Sequence, residues 1–196
     1  MGDLYLGLDL STQSLKSVLI DDQLNLVHSD VVVLDELGWD MTSIEKILKC
    51  VVFRFATTDG FINDGTTITA PTLMFVAAMD RLFEGLKQTP FLSRVKSISA
   101  SGQQHGTVYW KTGAGATLSS LDGQRDLVSQ LRNCFSKENS PIWMDSSTKA
   151  VCDQLTDAVG GAKNLANVTG SSAYERFSIN QVAYHFKYRL LTEPMI

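Results

Sequence analysis

Residues 4–20 read LYLGLDLSTQSLKSVLI and predict two strands joined by a short polar turn. Leu4–Leu10 alternates around a glycine, Ser11–Ser14 has the composition of a turn, and Leu15–Ile20 begins a second strand. Val27–Leu34 then carries the β-branched run that is typical of a third strand. Because short turns join these segments, the sequence predicts an antiparallel meander.

The first turn of this meander holds side chains that suit a phosphate site. Asp9 lies at the end of the first strand, and Ser11, Thr12 and Gln13 follow it. A carboxylate there can orient a cation or its water, while hydroxyl and backbone N–H groups take phosphate oxygens. The alternative is an ordinary Asx or Ser/Thr turn that satisfies its own backbone. Both interpretations remain open for the turn taken alone.

A helix and a further strand extend the predicted sheet. Pro71 stands where a proline fits the first turn of a helix, and apolar residues at helical spacing predict one buried face: Phe75, Met79, Leu82, Phe83 and Leu86. Val95–Ser101 follows as a strand. A helix between two strands implies a crossover, so the sheet gains a parallel strand and becomes mixed.

The stretch SISASGQQHGTVYW, residues 97–110, predicts a strand, a polar loop and a second strand. Gly102 and Gly106 relax the backbone on either side of a Gln-Gln-His triplet, whose side chains cannot all be buried without partners. Such a loop either faces a ligand, which Gln104 and His105 would contact, or is a solvated hairpin.

The last third of the chain predicts several short helices that end at glycines. Pro141–Asp145 predicts a short strand or an extended arm, and Ser146 and Ser147 predict the N-cap of the next helix. Arg176 stands between two aromatic residues, where its planar guanidinium suits a hydroxylated or anionic ligand. Pairing with Glu175 or another carboxylate is the alternative role.

Composition narrows the class of protein. The formal net charge of −4 over 196 residues, without a Lys/Arg cluster, argues against nucleic acid as a partner. Three widely spaced cysteines indicate a reducing compartment, and no apolar run approaches membrane-spanning length. We therefore expect a cytoplasmic protein with no membrane association.

Four segments carry a resemblance to a known family. They are DLSTQSLK at 9–16, SGQQHG at 101–106, WMDSST at 143–148 and YERF at 174–177. Together and in this order they resemble the xylulose kinases of the FGGY carbohydrate kinase family. The resemblance covers residues 4–35 and about 57–182.

The resemblance implies an α/β fold of the ribonuclease H-like, actin-like ATPase type, with a mixed sheet flanked by helices. It implies ATP-dependent, Mg²⁺-dependent phosphorylation of D-xylulose to D-xylulose 5-phosphate, a reaction that depends mainly on positioning and charge neutralisation. Gln104, His105 and Arg176 would line the sugar pocket. Asp9 would be the catalytic, metal-facing carboxylate, and the cofactor-binding residues Ser11, Thr12 and Gln13 would face the transferred phosphate. All are expected to converge on one cleft.

The resemblance also divides the chain. Residues 1–196 would form the N-terminal sugar-binding lobe, with a probable insertion at 40–56 and a divergent tail at 183–196. In the family, the general-base aspartate, a second phosphate loop and the adenine pocket lie in the C-terminal half. We therefore expect this chain to bind the sugar and to be inactive alone.

Two other functions compete with this expectation. One is a non-catalytic sugar-binding or regulatory fragment of the same fold. The other is an actin-like ATPase, against which the Gln103–His105 loop counts, since the family match lies at the sugar and not at the nucleotide.

Overall fold

The computed structural model describes residues 2–37 and 57–192, with side chains described up to residue 186. The predicted insertion at 40–56 lies outside the described residues, as do residues 193–196 of the predicted tail. The chain divides into two compact units. The first unit comprises the described parts of residues 1–62, 70–103 and 108–139, and the second those of 63–69, 104–107 and 140–196.

A four-stranded mixed sheet forms the centre of the first unit. Its strands are β1 (Leu4–Leu10), β2 (Ser14–Ile20), β3 (Leu26–Val33) and β6 (Val95–Ser101), in the order β3-β2-β1-β6. The pairs β1/β2 and β2/β3 are antiparallel, whereas β1 and β6 are parallel. The predicted meander and the added parallel strand are therefore confirmed.

One face of this sheet packs against helix α1 (Thr72–Lys87), which contacts β2 and β3. Leu4, Leu6, Leu15 and Leu19 alternate with more exposed neighbours along their strands, and all four are buried. Burying a leucine side chain contributes about 2 kcal/mol, so this alternation fixes which face of the sheet turns inward.

Helix α1 begins where Pro71 predicts it, with Pro71 as the N-cap residue. Its predicted buried face is partly wrong. Leu82 and Leu86 are buried, but Phe75, Met79 and Phe83 are only half-buried. The remaining buried positions are Thr72, Met74, Val76 and Ala78. The helix is covered on a second side, because Val76 belongs to another apolar cluster, and one amphipathic stripe therefore does not describe it.

That second cluster joins α1 to two short helices, α2 (Ala114–Leu118) and α3 (Leu127–Leu131). Asp80 of α1 accepts hydrogen bonds from the N–H groups of Leu127 and Val128, 2.8 and 2.9 Å long, at the start of α3. Burial raises the pKa of the Asp80 carboxyl, although the two hydrogen bonds act in the opposite direction. The first turn of α3 is thus capped from another helix.

The strand predicted after the Gln-Gln-His loop does not form. In residues 107–110 only Trp110 makes a bridge, to Phe135, and the two rings lie 4.6 Å apart. Strand preference reflects packing against neighbouring strands, and here the indole packs against another ring instead. The polar loop is therefore not a hairpin.

A second, three-stranded sheet has the order β4-β5-β7, with β4 at Ile62–Asp64, β5 at Thr67–Pro71 and β7 at Asn139–Pro141. The strand predicted at Pro141–Asp145 is therefore misplaced. Its residues Ile142–Asp145 instead form a turn, closed by a 2.9 Å hydrogen bond from the N–H of Asp145 to the carbonyl of Ile142.

Three helices follow in the second unit: α4 (Lys149–Ala158), α5 (Ala162–Thr169) and α6 (Ser178–Thr192). The N-cap residue of α4 is Thr148, not the predicted Ser146 or Ser147. Gly160 and Gly170 end α4 and α5 with positive φ angles of 83° and 76°, as their glycines predict. No helix among the described residues is long and apolar enough to cross a bilayer.

Candidate functional site

Asp9 lies at the carboxyl end of β1, beside the carboxyl end of the parallel strand β6. It pairs across the sheet with Lys16 on one side and Ser101 on the other. Ser101 Oγ donates a 2.8 Å hydrogen bond to Asp9 Oδ1, and the Asp9 side chain is exposed. Ligands of open α/β sheets bind outside the carboxyl ends of parallel strands, so this carboxylate occupies a position suited to a ligand.

The turn from Ser11 to Ser14 closes on itself. Ser11 donates two hydrogen bonds to the carbonyl of Ser14, from its N–H at 2.9 Å and from its Oγ at 3.0 Å. Ser11 therefore stabilises its own turn, and its role towards a phosphate stays a prediction. Thr12 is half-buried and Gln13 is exposed at the tip of this turn.

A second segment of the first unit supports the β1–β2 turn. Gln13 Nε2 donates to Asp59 Oδ1 at 3.3 Å, and a Cβ on Gly60 would lie 2.3 Å from the carbonyl oxygen of Thr12. Asp35 holds this supporting segment through a 2.9 Å hydrogen bond from the N–H of Gly60. Only a glycine allows such a close backbone approach, which the sequence pattern did not reveal.

Gln103 also belongs to the first unit and contacts the same turn. Its Nε2 donates a 3.2 Å hydrogen bond to the carbonyl of Ser11. Its Oε1 is buried and has no hydrogen-bond partner among the residues that the structure describes. The first glutamine of the Gln-Gln-His triplet thus ties the loop to the turn, whereas Gln104 is exposed.

In the second unit, His105 and Arg176 are brought together on two aromatic rings. The rings of His105 and Phe177 lie 5.1 Å apart, those of Phe177 and Tyr174 5.2 Å apart, and the Arg176 guanidinium carbon 5.5 Å from the Tyr174 ring centroid. We call these four residues the ring cluster. The guanidinium lies within the range of a cation–π contact, which orients it while its donors stay available.

The backbone of His105 is unusual, because its φ is +66°. This left-handed region is uncommon for residues other than glycine. The loop that follows is tied to the start of α6, where Thr107 Oγ1 and Ser178 Oγ lie 3.1 Å apart. These contacts fix the loop that carries the imidazole.

Asp145 is a buried polar centre of the second unit that the sequence reading did not single out as functional. Its carboxylate accepts from the N–H of Ile68 at 2.9 Å, Ser147 Oγ at 2.6 Å and Gln181 Nε2 at 2.7 Å. Asp145 is only 2% exposed. A buried carboxylate with several donors organises the segments that supply them, and the Trp143–Thr148 motif therefore has a structural role as well.

The predicted site residues thus form two groups, one in each unit. Asp9, Ser11, Thr12 and Gln13 share the β1–β2 turn, and His105 and Arg176 share the ring cluster. Gln104 adjoins His105 in the chain. The expected convergence of both groups on one cleft stays a prediction.

Magnesium fits the first group on chemical grounds. Mg²⁺ is commonly bound by one or two carboxylates together with substrate phosphates and waters, and Asp9 supplies one exposed carboxylate. Within residues 2–37 and 57–192, no cluster of three or more His, Cys, Asp or Glu side chains forms a complete protein cage for a metal. The described residues therefore suit a Mg²⁺ ion that is bound together with a phosphate group.

Sequence comparison shows which known proteins this chain resembles. The chain is 45% identical over 185 residues to xylulose kinase of Mus musculus, covering 93% of this chain and 31% of that protein. It is 43% identical over 183 residues to xylulose kinase 2 of Arabidopsis thaliana, covering 91% of this chain and 30% of that protein. The chain thus spans about 30% of the length of the curated relatives it matches. No protein-family model matches it.

Solved structures give the fold. A ligand-bound xylulose kinase from Lactobacillus acidophilus matches with a TM-score of 0.63 and 14% identity, covering 97% of this chain and 30% of that one. Glycerol kinase from Plasmodium falciparum with ADP matches with a TM-score of 0.57 and 15% identity, covering 97% and 30%. By sequence the chain is similar to named xylulose kinases over about 30% of their length, and its fold is that of the FGGY carbohydrate kinases, the actin-like ATPase fold.

Proposed function

We propose that this chain supplies the sugar-binding lobe of an ATP-dependent kinase that converts D-xylulose to D-xylulose 5-phosphate. The observation that carries the proposal is the ring cluster, in which His105 and Arg176 each lie within 5.5 Å of an aromatic ring centroid. The chain that holds it is 45% identical to a named xylulose kinase. An imidazole and a guanidinium provide several directional donors for neighbouring hydroxyls.

In this function Arg176 binds two adjacent hydroxyls of the open-chain sugar through its planar fork, and stacking on Tyr174 orients it. His105 and Gln104 bind the remaining hydroxyls or the carbonyl.

Asp9 and the turn residues Ser11, Thr12 and Gln13 face the transferred phosphate. Asp9 would hold Mg²⁺ or one of its waters, and Ser101 Oγ fixes the carboxylate through its 2.8 Å hydrogen bond. ATP would supply the phosphoryl group and Mg²⁺ would neutralise its charge, while the chain's residues supply positioning. The proposed compartment is the cytoplasm.

Calorimetric titration of the 196-residue chain with D-xylulose tests the sugar site. We expect saturable binding, and Arg176→Lys weakens it about tenfold or more because lysine keeps the charge and loses the fork. Arg125→Lys is the matched control, since Arg125 is an exposed arginine of the first unit. Absence of binding by the unaltered chain, or equal binding by Arg176→Lys, contradicts the proposal.

Phosphate transfer is tested in a chimera. The segment of the mouse xylulose kinase that this chain matches, 185 residues long, is replaced by the chain itself. We expect ADP release that requires D-xylulose, ATP and Mg²⁺, and that Asp9→Asn lowers at saturating sugar. A folded chimera with D-xylulose binding and no ADP release would contradict the kinase assignment.

A second candidate function is sugar binding without phosphate transfer. It requires only the ring cluster, whose His105 and Arg176 both belong to the second unit. Binding of D-xylulose by the chain together with no ADP release, both alone and in the chimera, would identify this function.

A further inference from the structure

The turn that carries Arg176 is defined by its own backbone and by its neighbours. The N–H of Phe177 donates a 3.0 Å hydrogen bond to the carbonyl of Tyr174, so Glu175 and Arg176 are the central residues of a β-turn. The Arg176 side chain is exposed, and it lies against the Tyr174 ring. The direction of the guanidinium therefore depends on how firmly this turn is held.

Three buried side chains from outside the turn donate to its carbonyl groups. Asn180 Nδ2 donates to the Tyr174 carbonyl at 2.7 Å. Thr148 Oγ1 and Gln181 Nε2 donate to the Glu175 carbonyl at 2.7 and 3.3 Å. Asn180, Thr148 and Gln181 are at most 2% exposed. We call these three residues the carbonyl clamp.

The clamp is itself anchored. Gln181 Nε2 also donates to Asp145 Oδ1 at 2.7 Å, and Asp145 Oδ2 accepts from the N–H of Ile68 in β5. A connected series of buried hydrogen bonds thus runs from a strand to the peptide groups that precede Arg176. Buried donors that lose their acceptors are costly, so the turn conformation is strongly determined.

We propose that Thr148, Asn180 and Gln181 are positioning residues for Arg176, which hold the Tyr174–Phe177 turn so that the guanidinium is already oriented for the sugar. The inference rests on the proposed sugar-binding role of Arg176. A long exposed side chain loses conformational entropy when it binds, and a pre-oriented one loses less, which strengthens binding. The side-chain hydrogen bonds from the clamp to this turn end on backbone carbonyls, so the clamp acts on the turn that carries Arg176.

The main test compares Thr148→Val with Thr148→Ser. Valine keeps the shape and removes the hydroxyl donor, whereas serine restores it. We expect Thr148→Val to weaken D-xylulose binding about threefold to tenfold, as the loss of one buried hydrogen bond at the turn implies, and Thr148→Ser to recover most of the affinity. Calorimetric titration of the full chain gives both values.

Thr72→Val is the matched structural control. Thr72 is buried like Thr148, and its Oγ1 donates to a backbone carbonyl, that of Lys137, at 3.2 Å in the first unit. We expect Thr72→Val to lower the melting temperature as Thr148→Val does and to leave the D-xylulose Kd unchanged. If both variants weaken binding equally, the effect is one of general stability and the inference is wrong.

A readout without ligand separates this inference from the proposed function. The ¹⁵N–¹H heteronuclear NOE of the Arg176 Nε–Hε group reports its fast motion. We expect the NOE to fall in Thr148→Val and to stay at the unaltered value in Thr148→Ser and Thr72→Val. An unchanged NOE in Thr148→Val overturns the inference, while failure of the unaltered chain to bind D-xylulose overturns the proposed function.

Asn180→Leu gives a second route if Thr148→Val does not fold. The Tyr174 carbonyl keeps its hydrogen bond from Phe177 in this variant, so no acceptor is left unpaired. The same loss of affinity and of NOE is expected. Equal affinity and equal NOE in Asn180→Leu contradict the inference.

Discussion

Two turns carry the candidate site residues, and they are built in different ways. The β1–β2 turn is closed by its own Ser11–Ser14 hydrogen bonds and continues two paired strands. The Tyr174–Phe177 turn is held by three buried side chains, of which Thr148 lies 27 residues before its acceptor Glu175 and the other two lie six residues after theirs. The first turn is closed by local backbone pairing and braced by more distant segments, whereas the second is held through its carbonyl groups by buried side chains.

The largest loss of stability is expected when the support of the second turn is removed. Asp145→Ala removes a carboxylate that accepts from Ile68, Ser147 and Gln181, and it leaves buried donors unpaired. We expect the free energy of unfolding to fall by about 4 kcal/mol, measured by urea denaturation.

Asp153→Ala is the control for this change within the same unit. Asp153 forms an exposed 2.9 Å ion pair with Lys149, and solvent screening leaves such a pair little effect on stability, so we expect a much smaller loss. If Asp145→Ala costs no more than Asp153→Ala, the second turn is not held by buried side chains.

A somewhat smaller effect is expected where the first turn depends on close backbone approach. Gly60→Ala places a Cβ 2.3 Å from the Thr12 carbonyl oxygen at a φ of +83°, and we expect a loss of about 3 kcal/mol. Gly65→Ala is matched in backbone, with a φ of +67° and nothing within 4 Å, and it should cost about 1 kcal/mol. Equal losses in the two variants would show that the contact with Thr12 contributes nothing.

The pH dependence of stability gives a further test of the region around the second turn. Cys152 lies beside Thr148, a residue of the carbonyl clamp. Burial raises the pKa of the Cys152 thiol. The native state then keeps its proton at pH values where the unfolded thiol, with a pKa of about 8.5, loses it. This contribution to stability is complete below the unfolded pKa and is lost as pH rises towards the native value.

We therefore expect the free energy of unfolding to decline at alkaline pH, and Cys152→Ala to make that decline shallower. Urea titrations at several pH values between about 7.5 and 10 measure the slope of the free energy of unfolding against pH. This pH range is centred above the pKa of the unfolded thiol. Cys134→Ala is the control, a buried free cysteine of the first unit. A slope unaffected by Cys152→Ala would contradict the effect of burial on this thiol.

The smallest effect on stability is expected at the carboxyl end of β6, where Ser101 pairs with Asp9. Ser101→Ala removes an exposed hydrogen bond to Asp9, and the free energy of unfolding should change by less than about 0.5 kcal/mol. In the chimera it should lower phosphate transfer at saturating D-xylulose and leave the sugar Kd unchanged. A change of more than about threefold in that Kd would contradict the separation of the two roles.

The contrast between the turns also explains what could be predicted from the sequence. The meander and the parallel strand β6 follow from strand periodicity, turn composition and the rule for crossovers, which are local signals. The neighbourhood of Asp9 and Ser101 follows from the same rule, since parallel strands bring their carboxyl ends to one edge.

The remainder depends on distant partners, which periodicity does not encode. The two-sided burial of α1 requires the cluster around Val76, and the anchor of Gln181 requires an aspartate 36 residues earlier. The absence of the strand predicted after the Gln-Gln-His loop has the same cause, because Trp110 packs on Phe135 instead of entering a ladder.

The left-handed backbone at His105 has a consequence for how that position tolerates substitution. With φ at +66°, the position favours glycine and asparagine for conformational reasons and histidine for its imidazole. A saturation library selected for abundance should therefore enrich glycine and asparagine, whereas one selected for sugar capture should retain histidine. Asparagine, and not alanine, is thus the replacement that isolates the chemistry of the imidazole from the shape of the backbone.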